Sequence, residues 1–235
     1  MDGTVIEAKS KQRSPFIVSR GMKFPKDNQF IKGQIRGALR KDLYEGKESD
    51  AVMKVVRDDD VVIELGAGIG YMSTLVATKR KLKAVYAYEA NPNLIPYIHA
   101  VHAANNVKNA HVHNAILGAR KGTVDFYPRK NLLASSLVPK EGEEAPYSVK
   151  VDVLNAKQVM KETQANVLIC DIEGAEADLI PAMDLSGLRA AVIELHPQWI
   201  GPDGVNAVFR AFMDAGLAYY ARGSTRKVVS FRRSW

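Results

Sequence analysis

Short apolar runs alternate along this chain with stretches whose apolar positions recur at helical intervals. Residues 61–65, Val-Val-Ile-Glu-Leu, place one acid in an apolar run, the pattern of a strand buried on both faces. Runs at 83–88, 110–116, 166–171 and 190–195 predict the other main strands, and 123–127 and 149–153 two short ones. Helices are predicted between them over 71–80, 94–104, 156–162, 175–183 and 206–215. Asn91-Pro92-Asn93 caps and opens the second of these. Upstream, Phe30, Ile31, Ile35, Leu39 and Leu43 predict a helix over 27–42, followed by another over 48–56. Residues 217–222 and 225–231 read as a hairpin about Gly223-Ser224. Repeated strand–helix units imply an α/β fold with a mostly parallel sheet covered on both faces. The expected division is an extension over 1–57, disordered at its extreme end and then helical, and a ligand-binding domain over 58–235. Residues 128–146 read as a loop able to form a mobile lid, and Asp58-Asp59-Asp60 as a solvated turn.

The first main strand runs into Gly66-Ala67-Gly68-Ile69-Gly70 and then a helix. Alternate glycines let the backbone bend sharply and bring a ligand against bare main chain, with the helix-opening amides aimed at it. A dinucleotide fingerprint would put its third glycine at position 71, which is Tyr71, and no Gly-Lys-Ser/Thr follows for a phosphate loop. Glu64, two residues before the bend, would repel a pyrophosphate and suits a cationic ligand. S-adenosylmethionine, with its ammonium and sulfonium groups, meets that requirement. Glu89 ends the second strand, where sheets of this type place a carboxylate on the ribose hydroxyls.

Polar residues collect where the later strands stop: Asn114-Ala115, then Asp171, Glu173 and Gly174, then Glu194 and His196. Burying such groups without a ligand is costly, which favours a site. The 235 residues are 46% hydrophobic and 25% charged, ordinary for a globular protein, with no apolar run of membrane-spanning length. The polar N-terminus lacks a signal-peptide pattern, and the single cysteine, Cys170, reads as a buried core thiol. A cytoplasmic protein is expected. Of the +7 net charge, Arg222, Arg226, Lys227, Arg232 and Arg233 fall in residues 217–235, where no acid stands. That tail reads either as a solvated hairpin or as a contact for a phosphorylated or nucleic-acid partner. His111 and His113, on one strand face, and His99 and His102, one helical turn apart, read as surface or core histidines.

Glu-Leu-Gly-Ala-Gly-Ile-Gly-Tyr, Tyr-Glu-Ala-Asn-Pro (88–92), Asn-Ala-Ile-Leu-Gly (114–118), Asp-Ile-Glu-Gly-Ala-Glu (171–176) and Ile-Glu-Leu-His-Pro (193–197) occur in an order that resembles FkbM-like methyltransferases. The resemblance implies a Rossmann-like class I methyltransferase fold, a seven-stranded sheet with a C-terminal antiparallel hairpin, and S-adenosylmethionine as cofactor. It also implies that Glu64, Gly66, Ala67, Gly68 and Gly70 hold the methionine part, with Ser73 as helper. Glu89 and Ala90 would take the ribose, Asn114 and Ala115 the adenine edge, and Asp171 the methionine amine or the transfer site. Tyr44-Glu45 looks like the family's lead-in segment, which closes over the cofactor.

A hydroxyl acceptor must lose its proton, and Asp171, Glu173 and His196 are the candidate bases. These three could also hold a divalent ion, but such clusters are common without one and no metal is expected. The acceptor class implied by the resemblance is a hydroxyl on a sugar or other small molecule. The alternatives are an RNA or other nucleic-acid methyltransferase using the basic tail, and a non-catalytic cofactor-binding protein. No membrane partner is expected.

Overall fold

In a computed structural model, residues 14–127 and 148–234 are described. The expected disorder at the extreme N-terminus and the expected lid lie outside them. The described chain opens with an antiparallel hairpin, β1 (Phe16–Ser19) and β2 (Met22–Pro25), then α1 (Gly33–Arg40) and α2 (Gly46–Val55). Next come β3 (Val61–Leu65), α3 (Tyr71–Lys79), β4 (Ala84–Glu89), α4 (Ile95–Ala104), β5 (Ala110–Gly118) and β6 (Gly122–Phe126). Then follow β7 (Val149–Asn155), α5 (Ala156–Thr163), β8 (Val167–Cys170), α6 (Glu176–Leu179) and β9 (Ala190–Glu194). The chain closes with α7 (Pro197–Asp214), β10 (Ala218–Tyr219) and β11 (Val228–Arg232).

Nine strands form one sheet in the order β10-β11-β9-β8-β3-β4-β5-β7-β6. β3, β4, β5, β7, β8 and β9 run parallel, while β6, β11 and β10 pair antiparallel at the two sides. Among the described residues the sheet has nine strands where seven were expected, the short segment at 123–127 and the hairpin both joining it as edge strands. From β3 the chain winds outward through β4 and β5, then returns to lay β8 on the other side. The crevice between the carboxyl ends of β3 and β8 is therefore the topological switch point where such sheets bind ligands.

Successive strand residues face opposite sides. Val62, Val85 and Ala87 pack with α2, α3 and α4, whereas Ile63, Leu65, Leu168 and Ile193 pack with α5, α6 and α7. Cys170 is buried on the second face without a disulfide. Among the described residues, no helix is long and apolar enough to cross a membrane.

The β1–β2 hairpin was not expected, since strands of four residues are too short to show a period. It is docked firmly. Phe24 stacks on Tyr71 at 5.3 Å, Asn105 exchanges two 2.7 Å hydrogen bonds with the Lys23 backbone, and the Tyr97 hydroxyl donates to Pro25 O. The acidic turn before β3 also differs from expectation. Asp60 is buried, ion-paired with Arg189, and accepts from Asn166 Nδ2 at 3.1 Å and Arg57 N at 2.7 Å. It ties the lower ends of β3, β8 and β9 together instead of facing solvent. The last long helix begins at Pro197, well before residue 206, and is broken at Gly201 (φ 64°) ahead of Pro202. A separate first turn, 197–200, therefore stands directly after β9.

Candidate active site

Two backbone amides fix the bend after β3: Gly66 N and Ala67 N donate to Tyr88 O at 2.9 and 3.0 Å. Gly66, Gly68 and Gly70 all have positive φ, but they serve different ends. A Cβ on Gly66 would lie 1.8 Å from Asp171 O, so β8 crosses against bare backbone there. A Cβ on Gly68 would meet nothing within 4 Å, so this glycine faces open space. That space is where a ligand fits.

Glu64 is buried beneath the bend, its Oε1 accepting from Ser73 N at 3.1 Å and its Oε2 buried with no hydrogen-bond partner. Burial raises its pKa to about 8 against the pull of Ser73, and Glu89 adds to the rise. An orphaned carboxylate oxygen at this place is the feature expected of a seat for an ammonium group. Glu89 Oε2 accepts from Gly68 N at 2.8 Å and its Oε1 from Asn91 N at 2.7 Å. Burial raises it to about 7. Asn114 Nδ2 braces this strand end, donating to Glu89 O and Ala90 O at 2.9 and 3.0 Å. Ala115 packs in the core, so only its backbone is available to a ligand. Ser73 is wholly buried, with its hydroxyl 3.1 Å from His102 Nε2. Its service to the site is to aim Glu64.

The lead-in segment reaches the same place. Tyr44 is buried with its ring 5.1 Å from that of Tyr71, and Glu45 opens α2 in a left-handed conformation (φ 44°). Burial raises the Glu45 carboxyl well above its usual range, and Asp171 and Glu64 are near enough to push it further. Four carboxylates, Glu45, Glu64, Glu89 and Asp171, thus gather around the bend. Such a gathering calls for a cation.

Asp171, Glu173 and His196 meet where β8 and β9 end. His196 Nε2 lies 3.3 Å from Glu173 Oε2 and 3.8 Å from Asp171 Oδ1, and the latter is a buried atom without a hydrogen bond. Behind them Glu176, fully buried, holds His196 Nδ1 at 2.5 Å and accepts from Gly174 N at 3.1 Å. Glu176 fixes the ring and presents Nε2 to the site. Burial, then Glu194 and Glu173, raise Asp171 to about 7, with His196 pulling the other way. For His196 burial opposes protonation, but the Glu176 hydrogen bond and the neighbouring carboxylates outweigh it and raise its pKa. Glu173 has φ 54°, a strained value for a side chain of this length. Between them these three groups can accept a proton from a ligand. One donor atom from each of the three also lies within 4.8 Å of the others, close enough to hold a divalent ion.

Glu176 and Trp199 are the residues that sequence reasoning missed, and Lys227, read there only as part of the basic tail, joins them. Glu176 lay inside a quoted motif without a role. Trp199 stacks on His196 with ring centres 5.1 Å apart and is 57% exposed. Lys227 is exposed, and its charge draws both Glu173 and Glu194 back from the rise that burial imposes. His111 and His113 stand outside the site, stacked against Tyr86 and Tyr88.

Cofactor affinity is expected to rise with pH. Glu64, raised to about 8, must shed its proton to receive a cationic amine, and Glu89, raised to about 7, to accept from two ribose hydroxyls, so binding strengthens by up to about tenfold per unit for each group between pH 6 and 8. The ligand-free protein shows the opposite sign. With folded pKa values above unfolded ones, the folded state binds more protons than the unfolded state above pH 4.5, so these two groups withdraw stability until pH passes 8. Titration calorimetry across this range, with Glu64→Gln alongside, checks both. A flat affinity profile in the unaltered protein would remove Glu64 as the amine's partner.

Residues 42–131 match the sequence model of the TRM5/TYW2 methyltransferase domain. No curated protein matches the chain. Among solved structures, a Pyrococcus horikoshii protein classed as a transferase is 18% identical, covering 92% of this chain and 70% of its own, with a TM-score of 0.52. TYW2 of M. jannaschii is 15% identical over 92% of this chain and 84% of its own (TM-score 0.47). Trm5b of Pyrococcus abyssi is 14% identical over 91% of this chain and 54% of its own (TM-score 0.49). The matched segment is similar to the TRM5/TYW2 methyltransferase domain and not to an FkbM-like one, so the FkbM-like assignment is corrected. The glycine bend is common to class I methyltransferases, and the Asp-Ile-Glu-Gly-Ala-Glu motif at 171–176 lies outside the matched segment. The sugar or small-molecule hydroxyl acceptor, and with it the small-molecule partner, rested on that resemblance and falls with it. With its switch-point crevice, its bend flanked by carboxylates and a matched segment of the same kind, the chain is an S-adenosylmethionine-dependent methyltransferase of class I fold.

Proposed function

We propose that the methyl acceptor is RNA, of the transfer-RNA kind, and that a nucleobase enters the crevice between the ends of β8 and β9. The observation that carries this reading is the match of residues 42–131 to the TRM5/TYW2 methyltransferase domain. Of the basic residues in the closing hairpin, Arg226 and Lys227 stand at the crevice end of β11 and support it, whereas Arg232 and Arg233 lie at the far end of that strand.

S-adenosylmethionine supplies a methyl group already activated on a sulfonium. Glu64 and the bend hold its methionine part, Glu89 its ribose, and Tyr44-Glu45 cover it. The protein's further task is to align the acceptor atom with the methyl group and keep water away, orientation that contributes about 7–11 kcal/mol. Asp171, Glu173 and His196 take up the proton that the acceptor releases.

Incubation with methyl-tritiated S-adenosylmethionine and unfractionated transfer RNA, followed by digestion to nucleosides, tests the proposal. Label in one modified nucleoside is the expected result. RNA that stays unlabelled at low salt, where phosphate contacts are strongest, would overturn it.

A further inference from the structure

We infer that Trp199 and the turn at Arg226-Lys227 form a seat for one nucleotide of the acceptor, the base lying on the exposed indole and its phosphate on the basic turn. The inference rests on the RNA reading above and names the surface that reading requires.

The two parts of the seat are tied to adjacent residues just past β9. Trp199 N donates to His196 O at 2.9 Å, which anchors the short turn 197–200 that the break at Gly201 isolates from the rest of α7. Leu195 N donates to Lys227 O at 2.9 Å. Residues 225–228 close as a tight turn, Thr225 N to Val228 O at 2.8 Å, with Arg226 at φ 51° and Lys227 exposed at its tip. The indole and the basic turn are thus both fixed to the Leu195-His196 pair that follows β9.

The indole stands where it does for a reason visible in the packing. Its ring lies 17° from parallel with that of His196, and a Cβ on Gly174 would come within 2.9 Å of its Cε3. Gly174 therefore lets the tryptophan settle flat against the β8–α6 loop. With 57% of its surface still exposed, it remains open to a further ring. A large aromatic residue held rigid and left uncovered beside a reactive cluster is a stacking platform.

Charge says which part of the acceptor goes where. Inside the crevice, Asp171, Glu173, Glu176 and Glu194 would repel a phosphate. Arg226 and Lys227 at the rim attract one. A nucleotide offered to this surface enters base first with its backbone left outside, as enzymes acting on extruded bases require.

The test uses the full chain carrying Trp235→Phe, so that Trp199 is its one tryptophan, with unfractionated transfer RNA and a mixed-sequence 20-nucleotide RNA as probes. Trp199 fluorescence should be quenched on RNA addition. Trp199→Ala should lower kcat/KM for transfer RNA about 5- to 150-fold while leaving cofactor affinity within about twofold, and Trp199→Phe should recover most of the loss. Arg226→Ala and Lys227→Ala should each weaken binding to both probes and reduce the salt slope by about one. RNA that is bound and methylated with no quenching, and with full activity in Trp199→Ala, would overturn the seat and leave the RNA reading standing. Absence of salt-dependent binding to either probe would overturn both.

Discussion

Gly66→Ala should cost the protein about 2–5 kcal/mol and abolish cofactor binding. The left-handed backbone at this position (φ +85°) charges a side chain about 1–2 kcal/mol on its own. The added methyl would also stand 1.8 Å from the Asp171 carbonyl oxygen, an atom of the neighbouring strand that no rotamer change can move aside. Overpacking of that kind costs about 1–3 kcal/mol more. Relief requires β3 and β8 to part at their carboxyl ends, and the cofactor crevice is what parts. For a chain of this length the melting temperature should drop by about 5–20 °C. Gly68→Ala is the control. Its methyl meets no protein atom, so the fold should survive at about 1–2 kcal/mol while S-adenosylmethionine affinity falls. Thermal melts and calorimetric titrations of the two variants separate the cases. A Gly66→Ala protein that melts normally and binds cofactor would refute the packing described at the bend.

The largest effect on chemistry is expected at His196. We expect His196→Gln to slow methyl transfer about 10²–10⁴-fold with cofactor affinity within about twofold of the parent. Glutamine is chosen because His196→Ala would leave the fully buried Glu176 carboxylate unpaired, and breaking such a pair by deleting one partner costs about 3–5 kcal/mol. An amide can still donate to Glu176 but cannot accept a proton for the acceptor. Glu176→Gln should give a smaller loss of turnover together with a displaced pH–rate profile, the mark of a residue that positions His196. Single-turnover rates with saturating cofactor measure both. Full turnover in His196→Gln would remove the imidazole from the proton's path.

The parts of the site that follow from local chain geometry were readable in the sequence. Three alternate glycines after an apolar strand mean a bend with open backbone, and an acid two residues earlier sets a carboxylate beneath it. Glu64 and Glu89 are both found at that bend. The parts that depend on which loops meet in space were not readable. Glu176 and His196 are 20 residues apart and touch because β8 and β9 are neighbours. Trp199 reads like any core aromatic, since a sequence does not say that a helix will break at Gly201 and leave an indole uncovered. The β1–β2 hairpin was hidden by its brevity, and Asp60 by two other acids that surround it with the look of a solvated turn. Nor was the acceptor legible. Strand-end motifs answer chiefly to the cofactor, which many methyltransferases share, so likeness there said little about the rim where a substrate is chosen.

The carboxylates around the bend also govern what happens after transfer. When the methyl group leaves, the sulfur gives up its positive charge and becomes a neutral thioether, so a sulfur lying beside Glu45 and Asp171 would lose an attraction on transfer. The expected result is that S-adenosylhomocysteine binds more weakly than S-adenosylmethionine in calorimetric titration; equal or tighter binding would show that these carboxylates do not face the sulfur.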